Sequence, residues 1–120
     1  MKLFTKAIEK RLIKNFEINK NKEKIVEHKV VVKLFNPTGL GTWYLTEMNP
    51  ETQIAFGLAD ITVKELGYIS VTELKQFEGA MGLGIERDRM FESNKKTLKE
   101  CEALWVKIWH LLSLMGLRLR

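Results

Sequence analysis

An α+β domain is the fold class this sequence predicts: a three- to four-stranded antiparallel sheet packed by an N-terminal and a C-terminal helix. Three observations carry the prediction. Apolar residues and lysines recur every four positions at the front of the chain, period-two β-branched and aromatic segments separated by turn residues fill the middle, and a capped, strongly apolar segment closes it.

The first helix follows from two stripes. Phe4, Ile8, Leu12 and Phe16 share one spacing, and Lys2, Lys6, Lys10 and Lys14 repeat it offset by two positions. On a helix an offset of two is about 200°, so the stripes occupy opposite faces and predict an amphipathic helix from Thr5 to Glu17. Lysines four apart cost about 0.2–0.5 kcal/mol per pair, so this helix gains its stability by packing its apolar stripe. The polar run from Asn19 to Lys24 reads as a loop.

Strand chemistry begins at Ile25. Val30, Val32 and Leu34 alternate with Lys29, Val31 and Lys33, and Asn36-Pro37-Thr38-Gly39 supplies a turn in which proline sets φ and glycine permits a positive one. A second strand, Thr42 to Glu47, alternates Trp43 and Leu45 with Thr42, Tyr44 and Thr46. Met48-Asn49-Pro50-Glu51 turns the chain into a third strand from Gln53 to Leu58, with Ile54, Phe56 and Leu58 as its apolar face. Short turns between successive strands predict a meander, to which Glu65 to Ile69 adds a short fourth strand.

Ser70 and Glu73 form a capping-box pattern for a short helix from Val71 to Phe77, with Gly79 in the expected C-cap position. Thr97 and Glu100 repeat the pattern before the last helix, which spans 95–116 and stops at Gly116. Leu98, Cys101, Trp105, Ile108, Leu112 and Met115 step by three and four along it, the spacing of a helix–helix seam. Leu104, Val106, Trp109 and Leu111 widen that seam, so the helix either completes the core or makes a homodimer.

A length of 120 residues, 45% hydrophobic and 29% charged, fits one folded domain over 1–120 and excludes a disordered chain. The single Cys101 offers no internal disulfide, and His28 and His110 assemble no zinc-ligand spacing, so a reducing, cytoplasmic setting and no metal are expected. Charges interrupt Met1 to Leu12, which speaks against a secretory leader, and Ala103 to Met115 is too short for a membrane span. Gly79, Gly82 and Gly84 lack both the Lys-Ser/Thr of a phosphate loop and the dinucleotide fingerprint, so they read as turning residues and no cofactor is expected.

The net charge of +5 hides opposite signs. Residues 1–33 carry +6, residues 34–94 carry −5 and residues 95–120 carry +4. A uniformly basic chain would point to nucleic acid, but here the strand-bearing middle is acidic.

Four blocks within that middle carry a resemblance. Leu34-Phe35-Asn36-Pro37-Thr38-Gly39-Leu40-Gly41-Thr42-Trp43-Tyr44-Leu45-Thr46-Glu47, then Ala55-Phe56-Gly57-Leu58, Glu65-Leu66-Gly67-Tyr68-Ile69-Ser70 and Gly82-Leu83-Gly84-Ile85-Glu86-Arg87-Asp88 resemble, in order and spacing, the bacterial domain-of-unknown-function family 2958. The resemblance covers residues 2–92 and leaves the C-terminal helix outside. It implies a setting on plasmids, phages and other mobile elements, and no particular reaction.

Glu47, Glu65, Glu86 and Asp88 are the candidate acidic residues for binding a basic partner surface, since complementary charge steers association. With the resemblance, they make the leading expectation a non-enzymatic interaction protein of a mobile genetic element that inhibits a host defence nuclease such as a CRISPR effector. Two alternatives stand beside it. In a nucleic-acid-binding accessory, Lys6, Lys10 and Lys14 contact phosphates while Lys29 and Lys33 flank Trp43 as a stacking ring. In a metal-dependent hydrolase, Glu86 and Asp88 gather with other carboxylates, whereas in a purely structural reading Arg87 pairs with one of them and pins its loop to the sheet.

Overall fold

The front helix starts where its sequence places a cap. In the computed structural model, which describes residues 2–20, 25–102 and 114–116, the Thr5 hydroxyl accepts from the Ile8 amide at 3.1 Å. Helix α1 then runs Lys6–Asn19, beyond the expected end at Glu17. Its apolar stripe faces the sheet, with Leu12 fully enclosed, Phe4 buried beside it and Ile8 and Phe16 half-buried, while Lys6, Lys10 and Lys14 are exposed. Burying a leucine of this kind contributes about 2 kcal/mol, which exceeds the repulsion along the lysine row.

Strands β1 (Val32–Phe35), β2 (Thr42–Met48), β3 (Ile54–Asp60) and β4 (Lys64–Ser70) form the expected antiparallel meander. A fifth strand, β5 (Glu86–Arg87), returns to pair with β1, so the sheet order is β4-β3-β2-β1-β5. Two residues are too few to show a period of two, which is why the sequence pattern does not reveal β5. The fourth strand is a full seven residues rather than a short addition. Helix α2 (Val71–Gln76) follows it directly, with the Ser70 hydroxyl accepting from the Glu73 amide at 3.2 Å.

Gly79 is not the α2 cap. Phe77 ends that helix in an extended conformation, and Gly79 instead packs against the Asn36–Gly39 turn, where an added Cβ would come within 2.6 Å of the Thr38 hydroxyl. Gly57 answers a similar constraint inside the sheet, since any Cβ there would run into the carbonyl of Tyr44.

The two helix-forming ends pack on opposite faces of the sheet. Leu12 of α1 lies with Leu34, Trp43, Leu45 and Met48 in the main core. Leu98 and Cys101, in the helical turn at 98–102, pack with Val30 and Leu58 in a second, smaller core against which Tyr44, Phe56 and Phe91 lean. The strand pleat is the cause: Trp43 and Leu45 point one way and Tyr44 the other, so both faces of β2 carry large apolar groups that need cover. Trp105, Ile108, Leu112 and His110 lie outside the described residues, and Met115 is 64% exposed.

A bulge re-aims the end of β2. The register with β3 shifts between Leu45, which faces Gly57, and Glu47, which faces Phe56. Thr46 is the extra residue, and past it Met48 returns to the main core opposite Ala55, although its sequence context reads as a turn. Asn15 of α1 locks this irregularity: its side-chain amide donates to the Thr46 carbonyl at 2.9 Å in a buried position.

Candidate functional site: a groove beside Glu47

The bulge places Glu47 on the face opposite α1's core, where the C-terminal end of α1 reaches the end of the interior strand β2. There Asn19 holds a fixed orientation. Its Oδ1 accepts from the Val26 amide at 2.9 Å and its Nδ2 donates to the Val26 carbonyl at 3.0 Å, so the side chain acts as a peptide-like clamp on the chain after the helix. The same Nδ2 reaches the Glu47 carboxylate at 3.2 Å. Cross-strand pairing sets Phe56 next to Glu47 on one side and Tyr68 on the other, and the two rings meet edge-to-face at 5.6 Å between centroids.

Two adjoining hollows, of about 440 Å³ and about 240 Å³, share Asn19, Ile25, Glu47 and Phe56 in their walls. Phe16 and Tyr68 extend the larger one, and Tyr68 is 82% exposed. The outcome is a groove with aromatic and aliphatic walls that holds the half-buried Glu47 carboxylate, with Lys20, Lys99 and the exposed Glu27 also in its lining. No salt bridge to Glu47 forms among the described residues. A cationic side chain entering this groove would meet ring faces and a carboxylate together, the combination that favours ammonium and guanidinium groups.

The other acidic candidates are elsewhere. Glu65 is exposed on β4, at one edge of the sheet, whereas Glu86 lies on β5 at the other. Asp88 pairs with Lys33 at 3.5 Å. The four carboxylates therefore do not converge, and among the described residues no group of three or more His, Cys, Asp or Glu side chains is placed to hold a metal ion. Glu86 lines a separate cleft of about 610 Å³, where Lys2 and Lys75 accompany Glu9 and mix the two signs. Arg87 does pin its surroundings, but to backbone rather than to a carboxylate: it donates to the carbonyls of Leu3 at 2.9 Å and Lys2 at 3.3 Å.

The base-stacking constellation is not assembled either. Trp43 is only 7% exposed and belongs to the main core under α1. Lys33 is engaged on the opposite face with Asp88 and with the Tyr44 ring, 5.7 Å from its centroid. Lys29 is exposed and bridges to Thr97. The exposed lysines of α1 remain, alongside Arg11. His28 is structural: its Nε2–H donates to the Asn15 carbonyl at 3.0 Å, because a carbonyl only accepts.

Burial dominates the electrostatics of the second core. Desolvation, reinforced by Cys101, Asp60 and Asp88, pushes the Tyr44 phenol up to about 12. Burial likewise raises the Cys101 thiol, partly countered by Lys96. It lowers the Lys64 ammonium, an effect that Asp60 and Glu102 oppose. Tyr44 and Cys101 belong to the second core, and none of the three groups lines the groove.

The groove residues Phe16, Asn19, Ile25, Phe56 and Tyr68 were not legible as a site. Phe56 and Tyr68 each stand out as strand aromatics, but their meeting depends on the β3–β4 register and on the bulge that turns Glu47 toward them.

An antiparallel sheet with a helix on one face and a helical turn on the other defines an α+β domain with a surface groove beside Glu47. The chain belongs to the DUF2958 family, described as proteins of unknown function, whose profile matches residues 3–103. The match thus extends past the expected limit at residue 92 and into the start of the last helix. Nothing among curated proteins or solved structures matches the chain. No helix among the described residues is long and apolar enough to cross a membrane.

Proposed function

We propose that this is a non-enzymatic interaction protein of a mobile genetic element, and that it inhibits a host defence nuclease, such as a CRISPR effector, by binding it. The observation that carries the binding role is the groove beside Glu47: aromatic and aliphatic walls, with Lys20 and Lys99 also in the lining, around a carboxylate that forms no ion pair among the described residues. Nucleases present basic surfaces to their nucleic acid, and a lysine or arginine from such a surface matches this groove in charge and in ring contact. The mobile-element setting rests on the family resemblance.

A second reading, a nucleic-acid-binding accessory, draws support from Lys6, Lys10 and Lys14, which stand exposed one turn apart along α1 without an ion pair among the described residues. Capture from a host lysate, with and without nuclease treatment, separates the two. On the leading reading a defined protein is retained after nuclease treatment, is lost with Glu47→Lys, persists when Lys6, Lys10 and Lys14 are replaced by Glu, and weakens as salt rises. Recovery of nucleic acid alone, abolished by the lysine replacements and indifferent to Glu47→Lys, would establish the accessory instead.

A further inference from the structure

The two edges of the sheet are finished differently. At the β1 side the sheet ends in the two-residue β5. At the other side β4 offers seven residues that pair with β3 and, among the described residues, with no further strand. Free edges are ordinarily blunted by proline, a bulge, a central lysine or a covering element. Strand β4 contains no proline, its register with β3 runs from Lys64 to Ser70 without a shift, and its one lysine stands at its first position. The helical turn at 98–102 approaches the start of the strand, where the Lys64 ammonium donates to the Glu102 carbonyl at 3.4 Å, but helix α2 does not cover the strand. It leaves Ser70 toward the far side of the sheet, where Leu74 and Lys75 line a cleft with Ile85 and Glu86.

Exposed apolar side chains collect along this same edge. Ile61, Val63 and Leu66 are about half exposed or more, and Tyr68 more so. Leu66 and Tyr68 lie on one face, opposite Leu58 and Phe56 of β3.

We infer that β4 is a pairing edge for a second copy of this chain, joining two sheets antiparallel about a two-fold axis through Gly67. The strand is complementary to itself in that register. All seven residues overlap, with Lys64 opposite Ser70 of the second copy, Glu65 opposite Ile69 and Gly67 opposite Gly67. Leu66 falls opposite Tyr68, twice, on the exposed face, the aliphatic–aromatic cross-strand pair that stabilises antiparallel sheets. A two-fold axis perpendicular to the sheet keeps both Glu47 grooves on one side of the joined sheet. The inference goes beyond the partner-binding role: it shares Tyr68 and Leu66 with the groove walls but makes no use of Glu47.

Sedimentation of the full chain, carried to about 1 mM because an edge pairing alone is a small interface, is expected to show a monomer–dimer equilibrium. Leu66→Lys with Tyr68→Lys, which sets like charges opposite each other at exposed positions, is expected to abolish the dimer while lowering the melting temperature only by the few degrees that losing the Tyr68–Phe56 ring contact costs, a fall that Tyr68→Ala alone reproduces. Gly67→Cys tests the register. A Cβ at Gly67 meets nothing within 4 Å, and residues facing each other across the axis lie about 4.5–5.5 Å apart, within disulfide reach. Mild oxidation should cross-link Gly67→Cys and spare both wild type, whose Cys101 is buried, and Glu65→Cys, whose copies lie about 13 Å apart along the strand. A wild type that stays monomeric, a dimer that survives the double lysine variant, or cross-linking of Glu65→Cys as readily as Gly67→Cys would overturn the inference.

Discussion

Asn15 offers the sharpest test of how the sheet is built, because one side-chain amide ties the helix to the bulge. It is only 6% exposed, and its Nδ2 donates to the Thr46 carbonyl at 2.9 Å. That carbonyl belongs to the residue that drops out of the β2–β3 register. Replacing Asn15 with Ala leaves a buried acceptor without its donor, at a cost of about 1–3 kcal/mol. For a domain of this size about 2 kcal/mol lowers the melting temperature by about 8 °C. Urea unfolding should show the midpoint falling with the slope unchanged, since the surface exposed on unfolding is nearly the same. Asn15→Asp sharpens the test. A carboxylate facing a carbonyl sets two acceptors together, so burial and this contact raise the carboxyl's folded-state pKa above its unfolded value of about 3.9. The variant is then most stable below that unfolded value, where the acid donates, and loses stability as pH rises through the raised folded value. A loss below about 0.5 kcal/mol for Asn15→Ala, together with pH behaviour for Asn15→Asp matching that of Asn15→Ala, would refute the account of the bulge.

Two further predictions concern the sheet and the second core. Gly57→Ala forces a methyl group against the Tyr44 carbonyl and should cost about 3 kcal/mol or more, the upper range for overpacking, read as a loss of soluble folded protein or a large fall in the urea midpoint; a near-neutral effect would mean that β2 and β3 part easily there. Tyr44 and Tyr68 are the only tyrosines, so in a Tyr68→Phe variant tyrosinate absorbance reports Tyr44 alone, with a midpoint expected near 12 rather than 10. Because its folded pKa is raised, the neutral phenol's contribution to stability is complete below 10 and is lost as pH climbs toward 12. Tyr44→Phe should remove that part of the alkaline loss, and a Tyr44 midpoint at 10 would show that the second core is open to water.

Much of the architecture is local in origin and therefore readable along the chain. The stripes of α1, the turn at Asn36–Gly39 and the boxes at Ser70/Glu73 and Thr97/Glu100 are interactions between residues a few positions apart. In the last box Glu100 N donates to the Thr97 hydroxyl at 3.2 Å and the Thr97 amide reaches Glu100 Oε1 at 3.5 Å. Such patterns determined the α+β class, the meander and the helix starts, and the spacing of four sequence blocks pointed to the family that the profile match then established. What depended on contacts between distant residues was decided by the tertiary structure alone. The pleat and the two covered faces placed Trp43 in the core and Leu98 on the other side of the sheet. The Thr46 bulge, held by Asn15 from 31 positions away, turned Glu47 toward Phe56 and Tyr68. The strand order carried Glu65 and Glu86 to opposite edges and set β4 at the end of the sheet. A charge sum or a periodicity records which residues a segment contains, but register and strand order decide which of them meet.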